Sequence, residues 1–168
     1  AKVQNLLTKG SLNHLTYQLK KTPEQHFAEI AQTIALAKEN EIETNVYLED
    51  WSNGMRNSPE YVFQYLEFLV TQPVKRILLP DTLGVLIPSE VFTFISEIVS
   101  KYPQIHFDFH AHNDYDVSVA NVMEAVKAGI HGLHVTVNGM GERAGNAPLE
   151  STVAVISDFM PEVKINVK

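Results

Sequence analysis

The chain has 168 residues, 45% of them hydrophobic and 20% charged, which is enough apolar material for one globular unit and carries no mark of disorder. A net charge of -7 argues against a phosphate-binding nucleic-acid surface, and the absence of cysteine excludes both a disulfide framework and thiolate metal ligation. No signal segment or long apolar span is visible, so no membrane partner and a cytoplasmic location are expected.

In chain order, predicted strands run from Lys2 to Thr8, Glu43 to Glu49, Arg76 to Pro80, Ile105 to His112 and Gly132 to Asn138. Between and after them, helical spacing covers Pro23 to Asn40, Pro59 to Gln72, Ser89 to Tyr102, Val117 to Ala128 and Pro148 to Phe159. Thr22-Pro23, Ser58-Pro59 and Pro88-Ser89 read as helix starts, and Gly129 as a C-terminal cap. The rhythm is that of about five consecutive βα units and therefore of a parallel sheet. The α/β class leaves two architectures, an open doubly wound sheet or part of a (β/α)₈ TIM barrel. Two strands favour the partial barrel. His106, Asp108, His110 and His112 share one face of the fourth strand, and His134, Thr136 and Asn138 one face of the fifth. A sheet covered by helices on both sides favours apolar residues on both faces. A barrel whose interior opens into an active site tolerates a polar one.

The chemistry gathers at the strand ends. His110 and His112 lie two residues apart and so point to the same side, where two imidazoles can converge on one divalent ion. An ordinary structural role for the pair is the alternative. Helix capping accounts equally well for Ser11, Asp81, Asn113 and Asp114, which precede predicted helices. It is a poorer account of Glu49, which sits at a strand end.

His110-Ala-His-Asn-Asp114, together with Asn138-Gly-Met-Gly-Glu-Arg-Ala-Gly-Asn146 and the following Ala-Pro-Leu-Glu150, resembles the signature pair of the metal-dependent acyltransferases that include 2-isopropylmalate, homocitrate and citramalate synthases, within the DRE-TIM metallolyases. The likeness extends through Asp81-Thr-Leu-Gly84 and Tyr47-Leu-Glu-Asp50 to Leu7-Thr8. The run from Tyr47 to Arg56 is most similar to the citramalate synthase branch.

That resemblance implies that residues 1–168 form the C-terminal part of a barrel catalytic domain, barrel strands four to eight, without the first three strands and a C-terminal regulatory region. The chain opens on Ala1 within a predicted strand, in keeping with a fragment. It implies a divalent ion, Zn²⁺, Mn²⁺ or Mg²⁺, held by His110, His112 and Asn146, with an Asp ligand and its neighbouring Arg on the missing first strand. Gly141 and Gly145 would let the loop turn the Asn146 amide toward the histidines, and Glu142 and Arg143 would fix that loop. The implied reaction is a Claisen condensation of acetyl-CoA with a 2-oxo acid by a homodimer. Glu49 would serve the acid/base network and Thr82 would bind the oxo-acid carboxylate. A salt bridge for Glu49 and a backbone bond for Thr82 are the structural alternatives.

Tyr47 shares a strand face with Glu49 and stands where the family has a small residue, so with Leu7 it would form a wall that favours the methyl of pyruvate; ordinary core packing is the other reading of both. Two rivals are weaker. An amidohydrolase-type metal hydrolase needs further His ligands on later strands, and the lyase branch carries an active-site cysteine that this sequence lacks. A third reading is a non-catalytic interaction fragment with two open sheet edges. The isolated chain is expected to be inactive.

Overall fold

The computed structural model describes residues 2–165; Ala1 and the last three residues lie outside the described part. Five strands, β1 Val3–Lys9, β2 Glu43–Glu49, β3 Val74–Asp81, β4 Phe107–Ala111 and β5 Gly132–His134, form one sheet. Each pairs in parallel with the next in strict sequence order. A doubly wound sheet reverses its order at a switch point. Here none occurs, and the five consecutive βα units are a segment of a TIM-type barrel. The helices are α1 Pro23–Glu39, α2 Trp51–Asn57, α3 Pro59–Leu69, α4 Pro88–Lys101, α5 Ser118–Lys127 and α6 Leu149–Phe159, with a π-helical turn at His14–Leu19. No helix among the described residues is long and apolar enough to cross a membrane.

Alternation divides the sheet into two chemically distinct faces. Val46, Leu48, Ile77, Leu79, Phe107 and Phe109 are wholly buried and point outward, beneath Trp51, Tyr65, Leu66, Ile95 and Ile98 of the helices. The opposite face carries a row in register, Leu7, Tyr47, Leu78, Asp108 and Gly132, one from each strand.

Helix starts obey their local signals where those are present. Thr22 and Gln25 exchange both bonds of a capping box ahead of Pro23. Gly129 closes α5 at φ 88°. The short helix α2 was not foreseen, because Asp50 before it adopts φ 64° and its carboxylate accepts from Ser11 and Asn53 instead of capping the helix amides. The helix is held by close approach: a Cβ on Gly54 would lie 2.1 Å from the Gly10 carbonyl oxygen. The last strand is shorter than predicted. After His134 only Thr136 makes a bridge, to Pro148, and Asn138 takes φ 55° while its N–H donates to Glu150. The expected inward alternation of Thr136 and Asn138 therefore fails, because the chain turns into a 3-10 turn at Val137–Gly139. Likewise β4 ends at Ala111, leaving His112 just past it.

His26, on α1, gives the fold a pH dependence. Its ring is buried beside Tyr65 and its Nε2 accepts from the Lys9 N–H at 3.3 Å, a bond that needs neutral imidazole. Burial, aided by the charge on Lys21, pushes its pKa down to about 4. The unfolded chain, with an ordinary His, binds that proton more readily, so stability falls as pH drops from about 6.5 toward about 4. The cost is of order 2 kcal/mol at pH 5. Urea midpoints at pH 7.5 and 5 are expected to separate more in the wild type than in His26→Gln; equal separation in both would remove His26 as the cause.

Candidate metal centre and adjoining cavity

His110 is carried on β4, and His112 follows its end, where it forms an isolated antiparallel bridge with Asn146. The loop bearing Asn146 is bound to that strand end by Ala147 N–H donating to the Ala111 carbonyl at 3.0 Å and Asn113 N–H to the Gly145 carbonyl at 2.9 Å. His110 and His112 present their Nε2 atoms to each other at 3.3 Å with the rings at 89°. Two nitrogens bound to one ion at about 2.1 Å with a tetrahedral angle lie about 3.4 Å apart, so this spacing suits a shared cation. The Asn146 Oδ1 is buried with no hydrogen-bond partner. An unsatisfied buried carbonyl is costly, and a cation is a chemically apt partner for it. Among the described residues no three His, Cys, Asp or Glu side chains form a cage. The candidate donors are two imidazoles and one amide oxygen, a mixed set that leaves positions free for other oxygen ligands.

Burial first, then neighbouring His112 and His134, lowers the His110 pKa to about 4; burial, reinforced by the Arg143 charge, lowers that of His112. Both rings are therefore neutral near pH 7, the state in which imidazole ligates.

The glycine loop is shaped as its sequence requires. Gly145 has φ 91°, and a Cβ on Gly141 would lie 2.5 Å from the Asn146 Nδ2. Arg143 is the fastener: its Nε and Nη2 donate to the two Asp114 oxygens at 2.7 Å each, and Nη2 also donates to the Thr82 carbonyl at 2.8 Å. One guanidinium thus ties three strand-end loops together, and its hydrogen bonds hold the Asp114 carboxyl below the usual range. Asp81 and Asn113 take local structural bonds, to Val85 and Leu86 amides and to the Ser118 amide respectively.

At the ends of β1 and β2, Glu49 Oε2 accepts from Lys9 Nζ at 2.5 Å, and its Oε1 lies 4.0 Å from His14 Nδ1. His14 Nε2 is 3.4 Å from Asp50, whose carboxylate also accepts from the Ser11 hydroxyl at 2.7 Å. Thr82 Oγ1 accepts from the Asp50 N–H at 2.8 Å, the backbone role that was its alternative, while its own hydroxyl hydrogen remains available to another acceptor. A cavity of about 590 Å³ with a mixed lining opens here, bounded among others by Ser11, His14, Asp50, Leu12, Tyr17 and Leu83.

Leu7 and Tyr47 are register partners on the inner face. Leu7, on the edge strand of the sheet, is 63% exposed in this chain. Tyr47 is half-buried, and its hydroxyl lies 3.0 Å from His134 Nδ1. Sequence reasoning missed Lys9 and His14 as neighbours of Glu49, and His134 as partner of Tyr47. The predicted first strand stops at Thr8, one residue short of Lys9, and only the β1–β2 register makes Lys9 and Glu49 a pair.

Parallel strands ending in paired imidazoles, a buried free amide oxygen and a carboxylate two strands away define a barrel-type centre suited to a divalent ion. Residues 2–168 match the family described as HMGL-like, and the chain belongs to that family. A 2-isopropylmalate synthase of Gloeothece citriformis is 38% identical over 85% of this chain and 27% of its own. A homocitrate synthase of Sulfolobus acidocaldarius is 34% identical, covering 85% of this chain and 30% of its own. This chain thus spans less than a third of those relatives' lengths. The barrel of the hydroxymethylglutaryl-CoA lyase from Pseudomonas aeruginosa superposes with a TM-score of 0.80 at 18% identity, over 94% of this chain and 56% of that one.

Proposed function

We propose that this chain is the part of a barrel catalytic domain comprising strands four to eight, and that the whole protein condenses acetyl-CoA with a 2-oxo acid, pyruvate by preference, to give citramalate and CoA. The observation that carries the reading is the 3.3 Å convergence of His110 and His112 beside the unsatisfied Asn146 oxygen, at the strand ends of a sheet whose relatives are named as 2-isopropylmalate and homocitrate synthases. His110, His112 and Asn146 would hold the divalent ion, Zn²⁺, Mn²⁺ or Mg²⁺. Such an ion supplies Lewis-acid polarisation of the oxo acid's ketone.

This chain's own groups would then act together with the Asp and Arg of the missing first strand and a His from the missing C-terminal part. Glu49, paired with Lys9 and near His14, sits where a carboxylate can accept a proton released from the acetyl methyl. The carbanion so formed attacks the ketone carbon, and hydrolysis of the thioester then releases CoA. Thr82, with its hydrogen free, donates to the oxo-acid carboxylate while Asp50 fixes its oxygen. Arg143 holds the three loops in place. Tyr47 and Leu7 bound the space left for the oxo acid's substituent, which fits a methyl better than an isopropyl group. A cytoplasmic homodimer completes the proposal.

Acetyl-CoA-dependent thiol release by the full-length protein, with Mn²⁺ or Zn²⁺ added, is the test. A kcat/KM favouring pyruvate over 2-oxoisovalerate by roughly ten-fold or more is expected. A preference for 2-oxoisovalerate would move the protein to the isopropylmalate branch, and no thiol release with any oxo acid would sink the synthase reading.

A further inference from the structure

On the inner face a hydrogen-bonded chain runs from the floor of the sheet to the Tyr47 hydroxyl. Asp108, 2% exposed on β4, sits at its base. Its Oδ2 lies 3.3 Å from His134 Nε2, and the other ring nitrogen of His134 lies 3.0 Å from the Tyr47 oxygen. Asp108 is itself fixed from two further sides, by His106 Nε2 at 2.8 Å and Arg76 Nη1 at 3.3 Å. With an arginine and two imidazole nitrogens set on its two oxygens, this carboxyl serves as an acceptor.

That fixes the polarity of the whole chain. With Asp108 accepting, the neutral form of His134 donates from Nε2 and leaves Nδ1 bare to accept. The Tyr47 phenol, whose ionisation is opposed by burial and then by the Asp108 charge, keeps its proton and donates it to Nδ1. The Tyr47 ring cannot swing without breaking this bond, and His134 cannot turn without losing Asp108. The room for Asp108 is built in: a Cβ on its register partner Gly132 would lie 2.0 Å from Asp108 Oδ1.

We propose that His134 and Asp108 are positioning residues for substrate selection, tethering the Tyr47 ring across the oxo-acid substituent space so that the tether, and not ring volume alone, confines the site to the smallest 2-oxo acids. This deepens the pyruvate reading and rests on it. Tyr47 donates its only proton to His134, so it meets the substrate as a wall and offers it no hydrogen bond. The His110 ring, 5.9 Å from that of His134, sets the wall beside the candidate metal centre.

The decisive comparison is Tyr47→Phe, which keeps the ring and deletes the tether, alongside His134→Ala and His134→Gln. A Gln at this position can accept from the phenol through its oxygen and donate to Asp108 through its nitrogen, reproducing the imidazole's polarity. In the full-length protein, kcat/KM would be measured with pyruvate, 2-oxobutyrate and 2-oxoisovalerate. Tyr47→Phe and His134→Ala are expected to lower the pyruvate to 2-oxoisovalerate ratio by roughly ten-fold or more, chiefly by lowering KM for the larger acid, with His134→Gln restoring most of it. A wild type that favours pyruvate while Tyr47→Phe keeps the same ratio overturns the tether alone. A wild type without that preference overturns the selection reading and the role given to the tether with it. Ring ¹⁵N shifts of His134 in the chain described here give a readout independent of turnover: the Nε2–H tautomer is expected, and Nδ1–H would overturn the proposal.

Discussion

Replacing Glu49 by Gln is expected to slow thiol release by the full-length protein by about 10²- to 10⁴-fold, the span associated with loss of a positioned acid/base group. The amide is the same size and can still accept from Lys9, but it cannot take a proton from the acetyl methyl. Structural consequences are small by comparison. The Lys9–Glu49 pair has side chains 15% and 24% exposed, and because the amide keeps a hydrogen bond to Lys9 the stability cost stays small beside the rate loss. Rate and thermal midpoint therefore separate the two roles: a catalytic Glu49 gives a large rate loss with a midpoint shift of a few degrees at most. Turnover within about three-fold of wild type would reduce Glu49 to an ion-pair partner.

The second large effect concerns metal uptake. Calorimetric titration of this chain with Zn²⁺ or Mn²⁺ is expected to show binding that weakens more than about 100-fold in His110→Ala and in His112→Ala, since removing even a supporting partner of a ligand costs 10- to 100-fold. Asn146→Ala should weaken it less, because a neutral amide oxygen is a poorer donor than imidazole for such ions. Both His variants leave the outward core of Phe107, Phe109 and Ala111 untouched, so circular dichroism should be preserved. Unchanged affinity in the two variants would place the ion elsewhere.

The order and type of the elements were legible because most strands were marked by apolar outward residues and α1, α3, α4 and α6 by a Pro at or just before their start. What could not be read was how the strand-end groups divide their bonds. Thr82 was foreseen as a substrate donor, and its oxygen is engaged by the Asp50 amide, a contact created by the left-handed backbone at Asp50. Asp50 itself hid helix α2, because a positive φ on a non-glycine residue leaves no pattern in sequence. Asp108, His110 and His134 were visible as a polar inner face, yet which pairs bond depended on strand register. Fourth-strand alternation survived, whereas the fifth strand failed beyond His134, because the turn at Asn138 is stabilised by Glu150, twelve residues away on α6.

The fit of Gly132 beneath Asp108 couples the two positions. A methyl at Gly132 would strike a carboxylate oxygen that His106, His134 and Arg76 hold in place, so it cannot yield without surrendering those bonds. Shrinking Asp108 first empties the space and makes a later methyl at Gly132 tolerable. Gly132→Ala is thus expected to be destabilising beside Asp108 and better tolerated in an Asp108→Ala background.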